Sequence, residues 1–260
     1  MSKLKASSKQ SNILLLTATI TPPAGVPLLQ RSNPQERLQD YEKALKFYLT
    51  LLNQSLDAIV FAENSASDIS VLRGIVEQAG ITNQVEFLVF DGLDHPPNYG
   101  RAYGEFKLIN YVMKHSQIIN SQEEDITVWK VTGRYIVNNL SQIITNKPAS
   151  FDIYCNCRNI PKQWADMFLI AWTNKGYKAF LENIHHKLIA DPDQIIQPEE
   201  FFWDLLAKPT KDIKFARRFN VIPLIDGVRG SDNQNYSQGR NLLKFYLRSI
   251  GCKLFPWLWI

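Results

Sequence analysis

Apolar and polar positions along this chain switch between two periods, which predicts strands and helices in turn. Ile13 to Ile20 is an apolar run broken by Thr17 and Thr19 and followed by Thr-Pro-Pro, as in a buried strand entering a loop over 21–32. Asn33 and Pro34 supply a side-chain cap and a proline at the first helical position. The helix they open carries Leu38, Tyr41, Leu45, Tyr48, Leu49 and Leu52 on one face and runs to about Asn53. Residues 58–62 read as a second strand, 68–79 as a helix stopped by Gly80, and 85–90 as a third strand. From Gly100 onward, Phe106, Leu108, Ile109, Val112 and Met113 fall on one helical stripe. A polar turn over 121–125 follows, then a strand over 126–137 rich in Val, Ile, Thr, Trp and Tyr. This alternation implies an α/β, Rossmann-like, mostly parallel sheet flanked by helices.

After Asn138 the pattern is irregular. It predicts a short helix over 140–144, strands over 151–157 and 164–173, and a helix over 175–188. A helix headed by Gln197-Pro198-Glu199-Glu200 then runs to Leu206, with its acids where the dipole favours them. A strand over 221–225, a polar glycine loop over 226–236 and a helix from Arg240 to Ile250 complete the series. Residues 1–11 read as a disordered lead and 12–260 as one domain. Its first half, 12–138, is of nucleotide-binding type, and 139–260 forms an irregular second half.

Composition narrows the picture modestly. A net charge of +4, from 29 basic and 25 acidic residues, gives no ground for nucleic acid as a partner. The basic residues gather late, from Lys208 to Lys253, as a solvated face or one that meets an anionic membrane surface or a phosphate-bearing ligand. Three cysteines argue for a reducing compartment, and Cys155 and Cys157, on one face of a strand, read as packing residues. Lys3, Lys5 and Lys9 before an apolar run mimic a short signal peptide, but the interrupting threonines favour a strand. The KLFPWLWI segment is too short to span a bilayer and suits an interface.

The strand exits of such a sheet line one crevice, where ligands of open α/β sheets bind. They bring together Thr17 and Thr19, then Glu63 and Asn64, then Lys130 to Arg134, with Arg101 at a helix start. An acid after the second strand can accept from ribose hydroxyls, and cations beside a helix N-terminus can hold a diphosphate. Two cations on a buried strand are costly unless an anion meets them. Neither a dinucleotide-binding glycine fingerprint nor a P-loop is present. Duller roles exist for each residue. Arg134 could pair with Glu105 or Asp152, Lys130 could snorkel outward, Glu63 could cap a helix, and His185 and His186 could be surface residues.

The stretches YGRAYGEFKLINYVMKHS and VWKVTGRYIVNN carry a resemblance. Together they resemble bacterial glycosyltransferase-like proteins of capsule and lipopolysaccharide biosynthesis, in which a KG-x-GE helix start precedes a KITGR strand. The ADMFLIAW, PEEFFWDLL and IDGVRGSDNQNYS stretches follow in the same order, so the likeness spans about residues 12–248 and is carried most by 99–138. It implies a GT-A-like fold and transfer of a sugar from a nucleotide-sugar donor to a cell-surface glycan or lipid-linked acceptor. Where better-known GT-A enzymes place an Asp-x-Asp pair for a metal, this strand has Lys130 to Arg134 and no acid. Metal-independent transfer without a cofactor is therefore expected, with Thr17, Thr19, Glu63, Asn64, Arg101, Lys130 and Arg134 on the donor. The acceptor's base would be Glu199, Glu200 or Asp166. The transferase reading goes with a cytoplasmic protein, and the late basic residues and terminal tryptophans would then suit peripheral docking on the inner face of an anionic membrane. A non-catalytic nucleotide- or glycan-binding module and a nucleotidyltransferase are the alternatives.

Overall fold

The computed structural model describes residues 10–121, 126–189, 197–208, 211–255 and 257. The expected lead over 1–9, the turn over 122–125 and part of KLFPWLWI lie outside these residues. The strands are β1 (Ser11–Ala18), β2 (Ala58–Glu63), β3 (Val85–Val89), β4 (Ile126–Thr132), β5 (Ile136–Val137), β6 (Ile153–Arg158), β7 (Trp164–Thr173), β8 (Phe215–Ala216) and β9 (Ile225–Asp226). The helices are α1 (Pro34–Leu49), α2 (Ser70–Gln78), α3 (Gly100–His115), α4 (Gln117–Asn120), α5 (Leu140–Thr145), α6 (Asn174–Gly176), α7 (Pro198–Ala207) and α8 (Gly239–Leu254).

One seven-stranded sheet, in the order β3-β2-β1-β4-β7-β6-β8, takes strands from both halves of the chain, and β5 and β9 pair separately. β3, β2, β1 and β4 are parallel neighbours, as the alternation implies. β7, whose direction the pattern leaves open, runs antiparallel to both β4 and β6, and the sheet as a whole stays mostly parallel. The short loop over 159–163 returns the chain as a hairpin, which needs no crossover helix.

Period two divides the central strands between two cores. Leu14 and Leu16 of β1, with Trp129 and Val131 of β4, pack under α1 against Tyr41, Leu45 and Tyr48. Ile13 and Leu15, with Ile126 and Val128, pack under α3 against Phe106, Ile109 and Val112. Cys155 and Cys157 belong to the α3-side core, buried and free. Each fully buried leucine or isoleucine contributes about 1.5–3 kcal/mol by leaving water. The same parity assigns Thr17, Lys130 and Thr132 to the α3 side, which decides what they can touch.

Local signals set the element ends. Asn33 Oδ1 accepts from the Gln35 and Glu36 amides, with Pro34 at the first helical position. α3 starts at Gly100, whose φ of 85° is a conformation other residues strongly disfavour. The helix expected over 175–188 is instead α6, a π-helical turn over Tyr177–Leu181 and a 3-10 turn over Ile184–Lys187. Asn183, left-handed at φ 59°, interrupts it. The strand expected over 221–225 pairs only at Ile225, since the Asn139 side chain takes up the Leu224 amide and Ile222 carbonyl before it. Among the described residues no helix is long and apolar enough to cross a membrane.

Candidate functional site

The carboxyl ends of β1 and β4 lie side by side, with Leu15 opposite Lys130 and Thr17 opposite Thr132. α3 crosses the same layer, so Glu105, one turn in from its start, meets all three polar side chains. Glu105 Oε1 accepts from Lys130 Nζ at 2.7 Å, Thr17 Oγ1 at 2.6 Å and Thr132 Oγ1 at 3.0 Å. Lys130 is fully buried, and its ammonium also donates to the Met167 carbonyl at 2.8 Å and to Thr132 Oγ1 at 3.2 Å. Its three N–H groups thus have three acceptors within the protein. Lys130 neither snorkels outward nor reaches into the crevice; it holds Glu105 in place.

Burial alone would raise the Glu105 pKa, but the Lys130 ammonium and three hydrogen bonds hold it below the usual carboxylate range. Burial depresses the Lys130 pKa, with Glu105 opposing that fall. All three donors crowd Oε1, and the side chain remains 22% exposed. Oε2 is therefore the oxygen of Glu105 that can take an incoming donor.

Gly133 follows because the chain must pass close to β1. Its amide donates to the Thr17 carbonyl at 2.9 Å, and a Cβ there would stand 2.8 Å from that oxygen. Arg134 then turns beneath the loop over 227–230, donating to the Val228 carbonyl at 3.0 Å with Asp40 3.7 Å away. Burial opposes its charge, but Tyr41, Tyr135 and Asp40 raise its pKa above the ordinary guanidinium value. It pairs with neither Glu105 nor Asp152. Arg101 is exposed at the start of α3. A Cβ on Gly230 would stand 3.1 Å from Arg134 Nη2 and 3.2 Å from Arg101 Nη1, so the two guanidinium groups flank one point.

On the β2 side, Glu63 is fully buried and accepts from the Ile20, Ser65 and Ser67 amides and the Ser65 hydroxyl. It organises the loop rather than presenting a free carboxylate. Thr19 Oγ1 donates to Asn64 Oδ1 at 2.6 Å. Arg37, which the sequence reading passed over, donates to the Thr19 and Arg31 carbonyls and to Tyr41, and burial lowers its pKa. A shallow cleft of about 400 Å³ adjoins this loop, bounded by Ile20, Thr21, Gln35, Leu38, Ser67 and Asp68.

The three candidate bases differ in their surroundings. Asp166 accepts from Asn156 at 2.7 Å and Arg158 at 3.0 Å, with Arg248 at 3.9 Å. Glu200 is paired with Lys162. Glu199, half-buried in the first turn of α7, has its pKa raised by burial, with Asp166 and Glu105 adding to the rise and Arg101 opposing it. Glu199 combines a raised pKa with a position near Arg101, Glu105 and Lys130.

Histidine 185 is buried rather than a surface residue. Asn110 Oδ1 accepts from Tyr177 Oη and the Asn183 amide, so Asn110 Nδ2 is the donor to His185 Nδ1 at 3.1 Å. That bond requires a lone pair on Nδ1 and holds the ring neutral; burial, then His186 and nearby lysines, push its pKa down to about 4. Among the described residues no group of three or more His, Cys, Asp or Glu side chains is placed to hold a metal ion.

No protein-family model matches the sequence, and no curated protein matches it. Solved structures similar in layout include a protein from Desulfovibrio desulfuricans G20 named for nucleotide-diphospho-sugar transfer, at 9% identity and TM-score 0.45, covering 80% of each chain. The inositol-1-phosphate CTP transferase of T. maritima is similar at 10% identity and TM-score 0.44, over 93% of this chain and 96% of that one. A 4-diphosphocytidyl-2C-methyl-D-erythritol synthase is similar at 10% identity and TM-score 0.42, over 94% and 99%. Those scores leave the activity to be argued from the residues of this chain.

Proposed function

We propose that the protein is a glycosyltransferase that moves a sugar from a nucleotide-sugar donor to a glycan or lipid-linked acceptor, with guanidinium groups in the place of a metal ion. The observation that carries this reading is the convergence of Arg101 and Arg134 on Gly230, with Glu199, whose proton affinity is raised, near enough to Arg101 to feel its charge. The cleft beside Thr21 and Ser67 takes the nucleoside, and the diphosphate extends toward the two arginines and the α3 N-terminus. Glu105 Oε2 accepts a sugar or ribose hydroxyl; its lowered pKa makes it an acceptor rather than a base.

In an inverting transfer the acceptor oxygen attacks the anomeric carbon as its proton passes to Glu199. The anomeric carbon–phosphate oxygen bond breaks with its electron pair on the diphosphate, where Arg101 and Arg134 stabilise the growing charge. A raised carboxylate pKa suits Glu199 to that proton transfer.

Nucleotidyl transfer fits less well. The Thr19, Ile20 and Thr21 amides after β1 are already bonded to Tyr41, Glu63 and Ser65, so they offer no free N–H groups to a triphosphate. Calorimetry with UDP, GDP, CDP and dTDP tests the proposal. One of these should bind, and Arg134→Ala and Arg101→Ala should each weaken it about tenfold or more, the worth of one charge-assisted hydrogen bond. Unchanged affinity in both variants would refute the assignment.

A further inference from the structure

Helix α8 presents two unlike sides. Leu242, Phe245 and Cys252 are half-buried toward the protein, and Arg248 on that side lies 3.9 Å from Asp166. On the opposite side Leu243, Tyr246, Leu247, Ile250 and Leu254 recur at helical spacing and are each 54–64% exposed, with Trp257 beyond them at 73%. An outward helix face is ordinarily polar, so this stripe is fitted to something other than water. Lys244 and Lys253, both exposed, fall at about 100° and 80° to either side of the stripe at 100° per residue. Arg240, Lys244, Arg248 and Lys253 lie in α8, and no Asp or Glu follows Asp232 in the sequence.

We infer that α8 is an interfacial helix that seats the protein on an anionic lipid bilayer. The apolar stripe enters the headgroup–acyl boundary, the flanking lysines reach the anionic headgroups, and Trp257 lies at the depth tryptophan favours. A second copy is the poorer occupant. Two-fold pairing of the stripes would bring together the lysine borders of both copies, with no α8 carboxylate between them. Docking does not depend on the transferase reading; with it, the acceptor becomes a lipid-linked one, because the inner side of α8 leans on Asp166 at the rim of the crevice.

Sedimentation of the full chain with vesicles of phosphatidylcholine, with and without phosphatidylglycerol, tests this. The protein should sediment with the anionic vesicles, less so at high salt or as Lys244→Gln/Lys253→Gln. Leu247→Glu/Ile250→Glu should weaken partitioning at least about tenfold, from two apolar side chains withheld from the bilayer. Nucleoside diphosphate affinity should stay unchanged in these surface variants, which keeps a failure of docking distinct from a failure of the proposed activity. No sedimentation with anionic vesicles, or equal sedimentation of Leu247→Glu/Ile250→Glu, overturns the inference. So does a dimer in light scattering that the same substitutions dissolve, since the stripe would then belong to a second copy.

Discussion

Replacing Lys130 by methionine tests the buried pair on which the crevice floor rests. Methionine keeps an unbranched stem but removes the ammonium, so Glu105 Oε1 loses a donor at 2.7 Å and the Met167 carbonyl loses one at 2.8 Å. Breaking a fully enclosed pair costs about 3–5 kcal/mol. Glu105 is 22% exposed and keeps the Thr17 and Thr132 hydroxyls, so the lower end, about 3 kcal/mol, is expected. Lys130→Met/Glu105→Gln removes both charges and should lose about 1–2 kcal/mol less than the sum of the single changes. Urea unfolding at neutral pH, with unchanged slope and shifted midpoint, reads these differences. A loss under about 1 kcal/mol for Lys130→Met, or strict additivity of the two changes, would show that the pair contributes nothing as a pair. Acid titration adds a signed check. The Glu105 pKa is lowered on folding, so its contribution is present above the ordinary carboxylate value of 4.5 and is lost as pH falls below it. Lys130, lowered from 10.5 by burial, works in another window: its unfolded form holds the proton more tightly, so stability rises with pH up to that value. Glu105→Gln should therefore flatten the acid limb and leave the alkaline limb sloped.

Gly133→Ala should cost about 2 kcal/mol or more by urea unfolding, because its Cβ would stand 2.8 Å from a backbone oxygen that cannot rotate away. Glu199→Gln should lower the turnover of donor hydrolysis about 10²- to 10⁴-fold while calorimetric donor affinity holds; equal loss of affinity would make Glu199 a binding group instead. Stability should fall as pH drops from about 6.5 toward about 4, since neutral His185 is protonated more readily in the unfolded chain. His185→Gln should remove that slope in a thermal-melt series, and an unchanged slope would place its origin elsewhere.

The layers of the fold were legible where one period dominates. β1 and β4 carry enough consecutive apolar residues to be read as buried on both sides, and Asn33-Pro34 marks the start of α1 without ambiguity. The direction of β7 was not legible, since MFLIAW packs equally well in either direction and only the pairing partner distinguishes them. The helix expected over 175–188 failed at Asn183, whose left-handed backbone is a tertiary constraint. At the site, the cations were visible but their partners were not. Lys130 and Glu105 lie 25 residues apart, and the clue joining them was parity: Lys130 shares the face of Ile126 and Val128, beneath α3. Arg37 was hidden by its helical surroundings, although its guanidinium ends on the Thr19 carbonyl. His185 was taken for surface because nothing local announces Asn110 as its neighbour.

The carbonyl of Gly230 accepts from the amides of both Gln30 and Arg31, and Arg134 finds its own acceptor two residues earlier, at Val228. Early and late segments of the chain are thereby latched together above the arginine. A fragment ending near residue 138 would retain that guanidinium without the Val228 carbonyl that holds it, so the first half of the chain does not complete the surroundings of Arg134 by itself. On the proposed reading, capture of the diphosphate has to wait until the late loop is in place.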